Sequence, residues 1–135
     1  MEQGKLVDEQ IKAGGELISR LAEEGIPLAA AFWAKEAENG EWFLYLATPL
    51  VSADGVTRPA YRRVNAVIRQ MPPPFWIDPL EVKLIAPTDP AAQDVLAVRH
   101  RTGAAVLPTR WGGTKLGDLS VEGAYFYPLP AGATG

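Results

Sequence analysis

The sequence predicts an α+β fold in which three helices accompany a mostly antiparallel sheet of four or five strands, in the order α-β-β-α-β-α-β-β. Three observations lead to this prediction. Several stretches repeat apolar residues at the helical period of about 3.6 and end at clear stop signals. An Asn-Gly pair separates two aromatic-rich runs, which is typical of a β-hairpin. Helical and strand patterns alternate irregularly, so we expect the helices largely on one face of the sheet.

The length of the chain is that of a single domain. It has 135 residues, of which 47% are hydrophobic, and a formal net charge of −3. A chain of this size and composition can bury one core. We expect residues 1–127 to form a single α+β domain and residues 128–135 to form a mobile C-terminal tail.

The first helix is predicted over residues 7–22, where apolar positions recur at the helical period. These positions are Val7, Ile11, Gly14, Ile18, Leu21 and Ala22. Gly25 can adopt the left-handed conformation that ends a helix, Ile26 can make the accompanying apolar contact, and Pro27 cannot continue the helix. The adjacent Gly14 and Gly15 each cost about 1 kcal/mol relative to alanine. They indicate either a close neighbour or a tolerated weakness.

A β-hairpin is predicted next, with Asn39 and Gly40 as a two-residue type I′ loop. In that register Ala34 pairs with Tyr45. The strands are rich in aromatic side chains, namely Phe32, Trp33, Trp42, Phe43 and Tyr45. Because both faces of the hairpin carry large apolar groups, we expect helices to cover one face and another element or another chain to cover the other.

A second helix is predicted from Pro59, which suits a first helical turn, to about Gln70. Its apolar stripe is Ala60, Tyr61, Val64, Val67 and Ile68, and its polar side holds Arg58, Arg62, Arg63, Asn65 and Arg69. Spacings of four and seven residues place Arg58, Arg62 and Arg69 on one helical face. Prolines 72–74 then impose an extended segment that carries Phe75 and Trp76 across the surface.

The second half of the chain supplies the remaining elements. Residues 80–86 are predicted to form a strand with one mainly apolar face. Asp89 and Pro90 are an N-cap and a first-turn proline, and they open a helix that cations at 99–101 close near its negative end. Residues 104–107 are predicted to form a short strand, residues 110–117 a glycine-rich connection, and residues 119–127 the last strand.

The composition excludes several classes of site. The chain has no cysteine and His100 is its only histidine, which excludes thiolate chemistry and any metal site built mainly from imidazole and thiolate ligands. No acidic loop with calcium-binding spacing and no nucleophile elbow is present in the sequence. We therefore expect no cofactor, no metal and no catalytic residue. The least favoured interpretation is a hydrolase that uses Asp54, Glu36 or His100 with a divalent cation.

The hydropathy and charge pattern of the sequence shows no targeting signal. No apolar run approaches the roughly 20 residues that cross a bilayer, and residues 1–5 lack a basic segment followed by an apolar one. We expect a cytoplasmic protein that does not bind a membrane.

Charge is unevenly distributed along the chain. Residues 1–57 hold ten acidic and four basic side chains, whereas residues 58–135 hold nine basic and six acidic ones. Helix faces that pair locally in solvent would explain this split. A basic surface that meets an acidic partner or a phosphate would explain it equally.

The first functional hypothesis is a non-catalytic protein-interaction module that associates with itself or docks another protein through an aromatic and arginine surface. Aromatic and arginine side chains carry most of the affinity in protein interfaces. The candidate contact residues are Trp33, Trp42, Phe75, Trp76, Arg62 and Arg69. Burial of the aromatic rings in the core is the competing explanation.

The alternative hypothesis is binding of a phosphate-bearing ligand or nucleic acid through a local basic patch. The segment 111–117 resembles a phosphate cradle but lacks the spacing of a P-loop. The candidate anion-binding residues are Arg99, His100, Arg101, Arg110, Trp111 and Lys115, and the full patch adds Arg58, Arg62 and Arg69. A pI near 5.1 makes nucleic acid the less favoured partner.

Overall fold

The computed structural model describes residues 8–38, 40–51, 57–72, 77–102, 109–111, 115–117 and 119–127. For residues 98–102 and 109–111 it describes the backbone only. Three helices are present: α1 (Asp8–Glu23), α2 (Arg58–Gln70) and α3 (Pro90–Thr102). The strands are β1 (Ala30–Glu36), β2 (Trp42–Ala47), β3 (Val82–Ile85), β4 (Thr109–Trp111), β5 (Lys115–Leu116) and β6 (Leu119–Phe126). A short 3-10 turn, Pro79–Glu81, precedes β3.

The sheet is mixed and mostly antiparallel, as predicted. Five strands lie in the order β3-β2-β1-β6-β4, and β5 pairs only with β6. The single parallel pair is β2 with β3, which α2 connects. The predicted α-β-β-α-β-α-β-β order is confirmed. The connection predicted over 110–117 is corrected, because it holds most of β4 and the whole of β5, which is a short addition to that order. The strand predicted over 104–107 and the tail predicted over 128–135 lie outside the described residues.

Helices cover both faces of the sheet, two on one side and one on the other. On one face, Trp33 and Leu46 belong to a core cluster with α1 and α2. On the other face, Phe32 and Phe126 belong to a second cluster with the first turns of α3. The expectation that one face of the hairpin meets a further element is met by α3. Residues 30–34 of β1 are fully buried because this strand is sandwiched between the two layers.

The hairpin register differs from the prediction by two residues. Ala34 pairs with Phe43 rather than with Tyr45, and Trp33 pairs with Leu44. The loop spans four residues, 37–40, because the Glu36 amide bonds to the Glu41 carbonyl at 2.9 Å. Gly40 supplies the positive φ of 68°. A slip of two residues leaves every side chain on its predicted face, since the side-chain period of a strand is two.

The end of α1 is the predicted glycine stop. Gly25 has φ +77°, its amide bonds to the Ala22 carbonyl at 3.1 Å, and the Ile26 amide bonds to the Leu21 carbonyl at 2.9 Å. These two bonds define a Schellman motif. Leu21 and Ile26 are both buried in the first core cluster, so the motif is sealed by the expected apolar contact.

Gly14 is the point where α1 comes closest to the sheet. A Cβ built on it would lie 2.2 Å from the Tyr127 hydroxyl oxygen and 3.2 Å from Trp33 Nε1. The indole nitrogen of Trp33 donates to the Tyr127 hydroxyl at 2.8 Å, and that hydroxyl donates to the Ile11 carbonyl at 2.6 Å. Of the two explanations for the glycine pair, a close neighbour therefore applies to Gly14. Gly15 has only one ordinary contact, 3.9 Å from the Tyr127 ring.

The outer edge of the sheet at β3 is protected. The Leu84 amide donates to the Tyr61 hydroxyl at 3.0 Å, and the Val82 amide donates to the Pro79 carbonyl. The strand begins at Val82 rather than at residue 80, because Asp78 and Glu81 form a capping box that closes the preceding turn. Satisfied edge amides disfavour the addition of a foreign strand here.

The start of α3 is capped as predicted. Asp89 Oδ1 accepts from the Ala91 amide at 2.9 Å. Gly117, at φ +59°, packs against this helix start, since a Cβ there would lie 2.4 Å from Pro90 backbone carbon. The Gly117 amide donates to Asp94 Oδ2 at 2.6 Å, which ties the β5–β6 turn to α3.

The glycine pair in α1 gives a matched test of this packing. Gly14→Ala is expected to lower the free energy of unfolding by about 1–3 kcal/mol, because the new methyl group meets the Tyr127 hydroxyl. Gly15→Ala is expected to raise it by up to about 1 kcal/mol, because alanine favours the helix and space is available. Urea denaturation of both variants measures the difference, and equal effects would contradict the assigned contact.

Gly25 tests the helix stop. Gly25→Val is expected to cost about 1–2 kcal/mol or more, purely from backbone strain, because no atom lies within 4 Å of a Cβ at this position. Gly25→Asn is the control and should cost less, because asparagine tolerates the left-handed region. A melting temperature that is unchanged by valine would show that α1 does not depend on this conformation.

Candidate interaction surface

The outward side of α2 carries arginine. Its apolar positions, Ala60 and Val64 among them, are buried in the core cluster with α1 and the sheet. Arg58, Arg62 and Arg69 are exposed, and we call these three residues the arginine face. The sequence of α2 contains no acidic residue. Among the described residues, none of the three has an ion-pair partner.

The position of two of these arginines strengthens the positive potential. Arg58 is the first residue of α2 and Arg62 lies one turn later. The N-terminus of a helix carries a partial positive charge, so cations there are less stable than cations at the other end. Thr57 precedes the helix and makes no side-chain cap, so no hydroxyl oxygen there accepts from the first amides. The N-terminal half of α2 is therefore a concentrated positive surface.

Acidic residues of α1 lie beside the arginine face. The two helices pack side by side on the same face of the sheet, and Arg20 Nη2 donates to Gln70 Oε1 at 3.3 Å near their C-terminal ends. Arg20 also pairs with Glu24, with Nε and Oε2 3.6 Å apart. An open groove of about 500 Å³ runs along α1 beside Met71. Charges of both signs line it: Glu16 and Glu23 alternate with Lys12 and Arg20.

The aromatic half of the predicted docking surface is only partly available. Trp33 is fully buried, with its indole nitrogen bonded to Tyr127, and it cannot contact a partner in this conformation. Trp33 is therefore removed from the set of predicted contact residues. Trp42 is half-buried and packs against the core cluster. Phe75 and Trp76 lie outside the described residues. Trp33 is inaccessible because β1 is covered on both faces, which leaves no solvent contact for an aromatic ring on that strand.

The residues of the predicted basic patch come from both faces of the sheet. Arg99, His100 and Arg101 belong to α3, which lies on the opposite face of the sheet from α2. Arg110 and Trp111 belong to β4 at the sheet edge, and of these five residues the structure describes the backbone alone. Lys115, on β5, is exposed. The sheet thus separates the arginines of α2 from α3, and anion binding by the residues of α3, β4 and β5 stays a prediction.

Sequence reasoning missed a polar cluster that spans three strands. The carboxylate of Glu36 accepts hydrogen bonds from the Tyr45 hydroxyl and from Lys83 Nζ, the latter at 2.7 Å. The ammonium of Lys83 also lies 4.0 Å from the centre of the Phe43 ring. The parallel pairing of β2 with β3 places Lys83 beside Tyr45. No local signal could have found this contact, because it depends on which strand is the neighbour of β2.

The cluster ties β1, β2 and β3 together through hydrogen bonds to Glu36. Burial raises the pKa of the Tyr45 hydroxyl well above its usual range, and the hydrogen bond to Glu36 raises it further. The hydroxyl therefore stays protonated and is a poor base. A small pocket of about 270 Å³ adjoins it, lined by Ile85, Asp89 and Leu119 among others. Because the Tyr45 hydroxyl and the Lys83 ammonium both donate to Glu36, we assign the three groups a stabilising role.

The raised pKa of Tyr45 predicts how its contribution depends on pH. Tyr45→Phe should lower the free energy of unfolding by about 1–3 kcal/mol at about pH 8, because the bond to Glu36 is lost. Above about pH 10 tyrosine ionises in the unfolded chain but not in the folded one, so the wild-type protein alone loses this part of its stability. The difference between the two proteins should narrow between about pH 9 and about pH 11. Urea unfolding at both pH values measures it, and a constant difference would exclude the assigned environment.

Neither a metal centre nor a membrane helix is found in the described part of the chain. No three histidine, cysteine, aspartate or glutamate residues gather there in a way that could hold a metal ion. None of the described helices combines the length and the apolar character that a bilayer span requires. Comparison with known proteins gave no match, neither to a protein family, nor to a curated protein, nor to a solved structure.

Proposed function

We propose that the chain is a protein-interaction module that docks an acidic surface of a partner protein through the arginine face. One observation carries the proposal. Arg58, Arg62 and Arg69 are exposed on one side of a helix without acidic residues, and they have no ion-pair partner among the described residues. Stability of the helix alone would favour carboxylates at its start, because they interact favourably with the positive end of the helix dipole.

Arginine suits the recognition of carboxylates. Its planar guanidinium donates two parallel hydrogen bonds to a carboxylate, and arginine is enriched among the residues that dominate protein interfaces. Large apolar anchors are scarce beside it, since Leu80 is the only large hydrophobic side chain exposed among the described residues. Exposed ion pairs contribute only about 0.2–1 kcal/mol each. The expected complex is therefore weak and sensitive to salt.

A protein is favoured over nucleic acid as the partner because of the surroundings of α2. The neighbouring helix α1 holds four acidic and two basic side chains, so its net negative charge would repel a continuous polyanion. The other members of the basic patch are not on α2: Arg99 belongs to α3, on the opposite face of the sheet, and Lys115 belongs to β5. A folded partner can present carboxylates to α2 alone, whereas a phosphate chain cannot avoid its neighbours.

The proposal is tested with a synthetic helical peptide that carries glutamate at the spacing of the three arginines. We expect weak binding at low salt, observed as shifts of α2 amide resonances in a nuclear magnetic resonance titration. A matching peptide with glutamine in place of glutamate should not bind, because the ion pairs are lost. Arg62→Glu together with Arg69→Glu should abolish binding by reversing the local charge.

The control variant is Lys115→Glu, which changes an exposed cation on β5, a strand that pairs with β6 and is tied to α3, and should leave peptide binding unchanged. Single-stranded oligothymidylate is the second probe. Tighter binding of the oligonucleotide than of the peptide, with a linear loss of affinity on a log–log plot against salt, would overturn the proposal in favour of nucleic acid. Absence of peptide binding at low salt, at a protein concentration where the chain is monomeric, would also overturn it.

A further inference from the structure

The outer side of α1 is acidic at a regular spacing. Gly14 faces the sheet, and a rotation of about 100° per residue places Glu9, Glu16 and Glu23 on the opposite side of the helix. All three glutamates are exposed, and none forms an ion pair with a described residue. Lys12 lies on the same side, and Arg20, which pairs with Glu24, borders it. These two cations reduce the negative potential of the three glutamates without cancelling it.

The outer side of α2 is basic at the same spacing. Val64 faces the core, and the same rotation places Arg62 and Arg69 on the opposite side of the helix. These arginines are seven residues apart, as are successive glutamates of α1. Seven residues span about 10.5 Å along a helix. The two stripes therefore have matching intervals and opposite charge, and they lie side by side on one surface.

Two such stripes are complementary to a second copy of themselves. A face-to-face dimer has its two-fold axis in the plane of the interface, and each contact in it occurs twice. An axis that runs along the helices, midway between them, places α1 of one copy over α2 of the other. An axis that runs across the helices places each helix over its own copy, which brings like charges together. The charge pattern selects the first arrangement.

We infer that the partner of the arginine face is a second copy of this chain, with Arg62 and Arg69 of each protomer meeting Glu9, Glu16 and Glu23 of the other. The inference rests on the proposed function, because it names the acidic surface that the arginine face binds. Each ion pair forms twice by symmetry, so modest single contributions add up. Without apolar anchors the dimer is weak, forms at high protein concentration, and dissociates as salt screens the charges.

Sedimentation equilibrium tests the inference. The wild-type chain should dimerise at roughly 50 mM salt and dissociate at roughly 500 mM, where the screening length falls to a few ångströms. Arg62→Glu with Arg69→Glu, and separately Glu16→Arg with Glu23→Arg, should each weaken dimerisation at least about tenfold. Circular dichroism checks that both variants keep their helices.

Mixing the two charge-reversed variants is the decisive step. The first variant has glutamate at both arginine positions of the α2 stripe and the second has arginine at two glutamate positions of the α1 stripe, so the attractive pairs become like-charged in each variant alone and opposite again between the two. A heterodimer in the mixture, with neither variant dimeric alone, is the expected result. Lys115→Glu, the control on β5, should dimerise as the wild type does.

The results that would overturn the inference differ from those that would overturn the proposed function. A wild-type chain that stays monomeric at low salt overturns the inference, and if it still binds the glutamate peptide the proposed function stands with another partner. Failure of both the peptide titration and the dimer overturns both. Variants that stay dimeric alone, or that fail to associate when mixed, show that a different surface is used and overturn the inference.

Discussion

The hydrogen-bond chain from Trp33 through Tyr127 to the Ile11 carbonyl fixes the layer on which the interaction surface is built. A buried indole N–H and a buried phenol must find partners or cost several kcal/mol. Their partners here come from β1, the residue after β6, and α1, so one chain of bonds joins three distant segments. Gly14 allows the helix to approach closely enough for the bonds to form. Because this contact fixes the rotation of α1, it also decides which of its side chains face solvent.

Elements with local signals were predictable from the sequence. The stop at Gly25, the cap at Asp89 and the bounds of α2 each depend on a few neighbouring residues whose backbone chemistry is specific. The hairpin was predictable in type and face but not in register, because Asn-Gly suits a two-residue loop and the chain uses a four-residue loop closed by Gly40. The assignment of α3 to the opposite face could not be predicted, because it depends on contacts between distant segments.

The part of the candidate surface that lies on α2 was predictable from the sequence. The spacing of Arg58, Arg62 and Arg69 places them on one side of α2 whatever the tertiary structure, since the helical repeat alone decides it. The aromatic contribution was not predictable, because a strand that is apolar on both faces does not reveal whether Trp33 meets solvent or a second layer. The placement of the basic patch was not predictable for the same reason. A single patch requires that α2 and α3 share a face, and the sequence does not specify this.

The uneven distribution of charge along the chain appears on the surface because α1 and α2 lie side by side on one face of the sheet. The acidic first part of the chain contributes α1 and the basic second part contributes α2, and the core packs them side by side. Neighbouring stripes of opposite charge could neutralise each other within one molecule. The described contacts between these helices use Arg20, Gln70 and apolar residues instead, so the glutamates and the arginines stay turned to solvent. A surface that keeps both charges unpaired at matching intervals is complementary to its own copy after a two-fold rotation, because that rotation places the acidic stripe of one molecule over the basic stripe of the other.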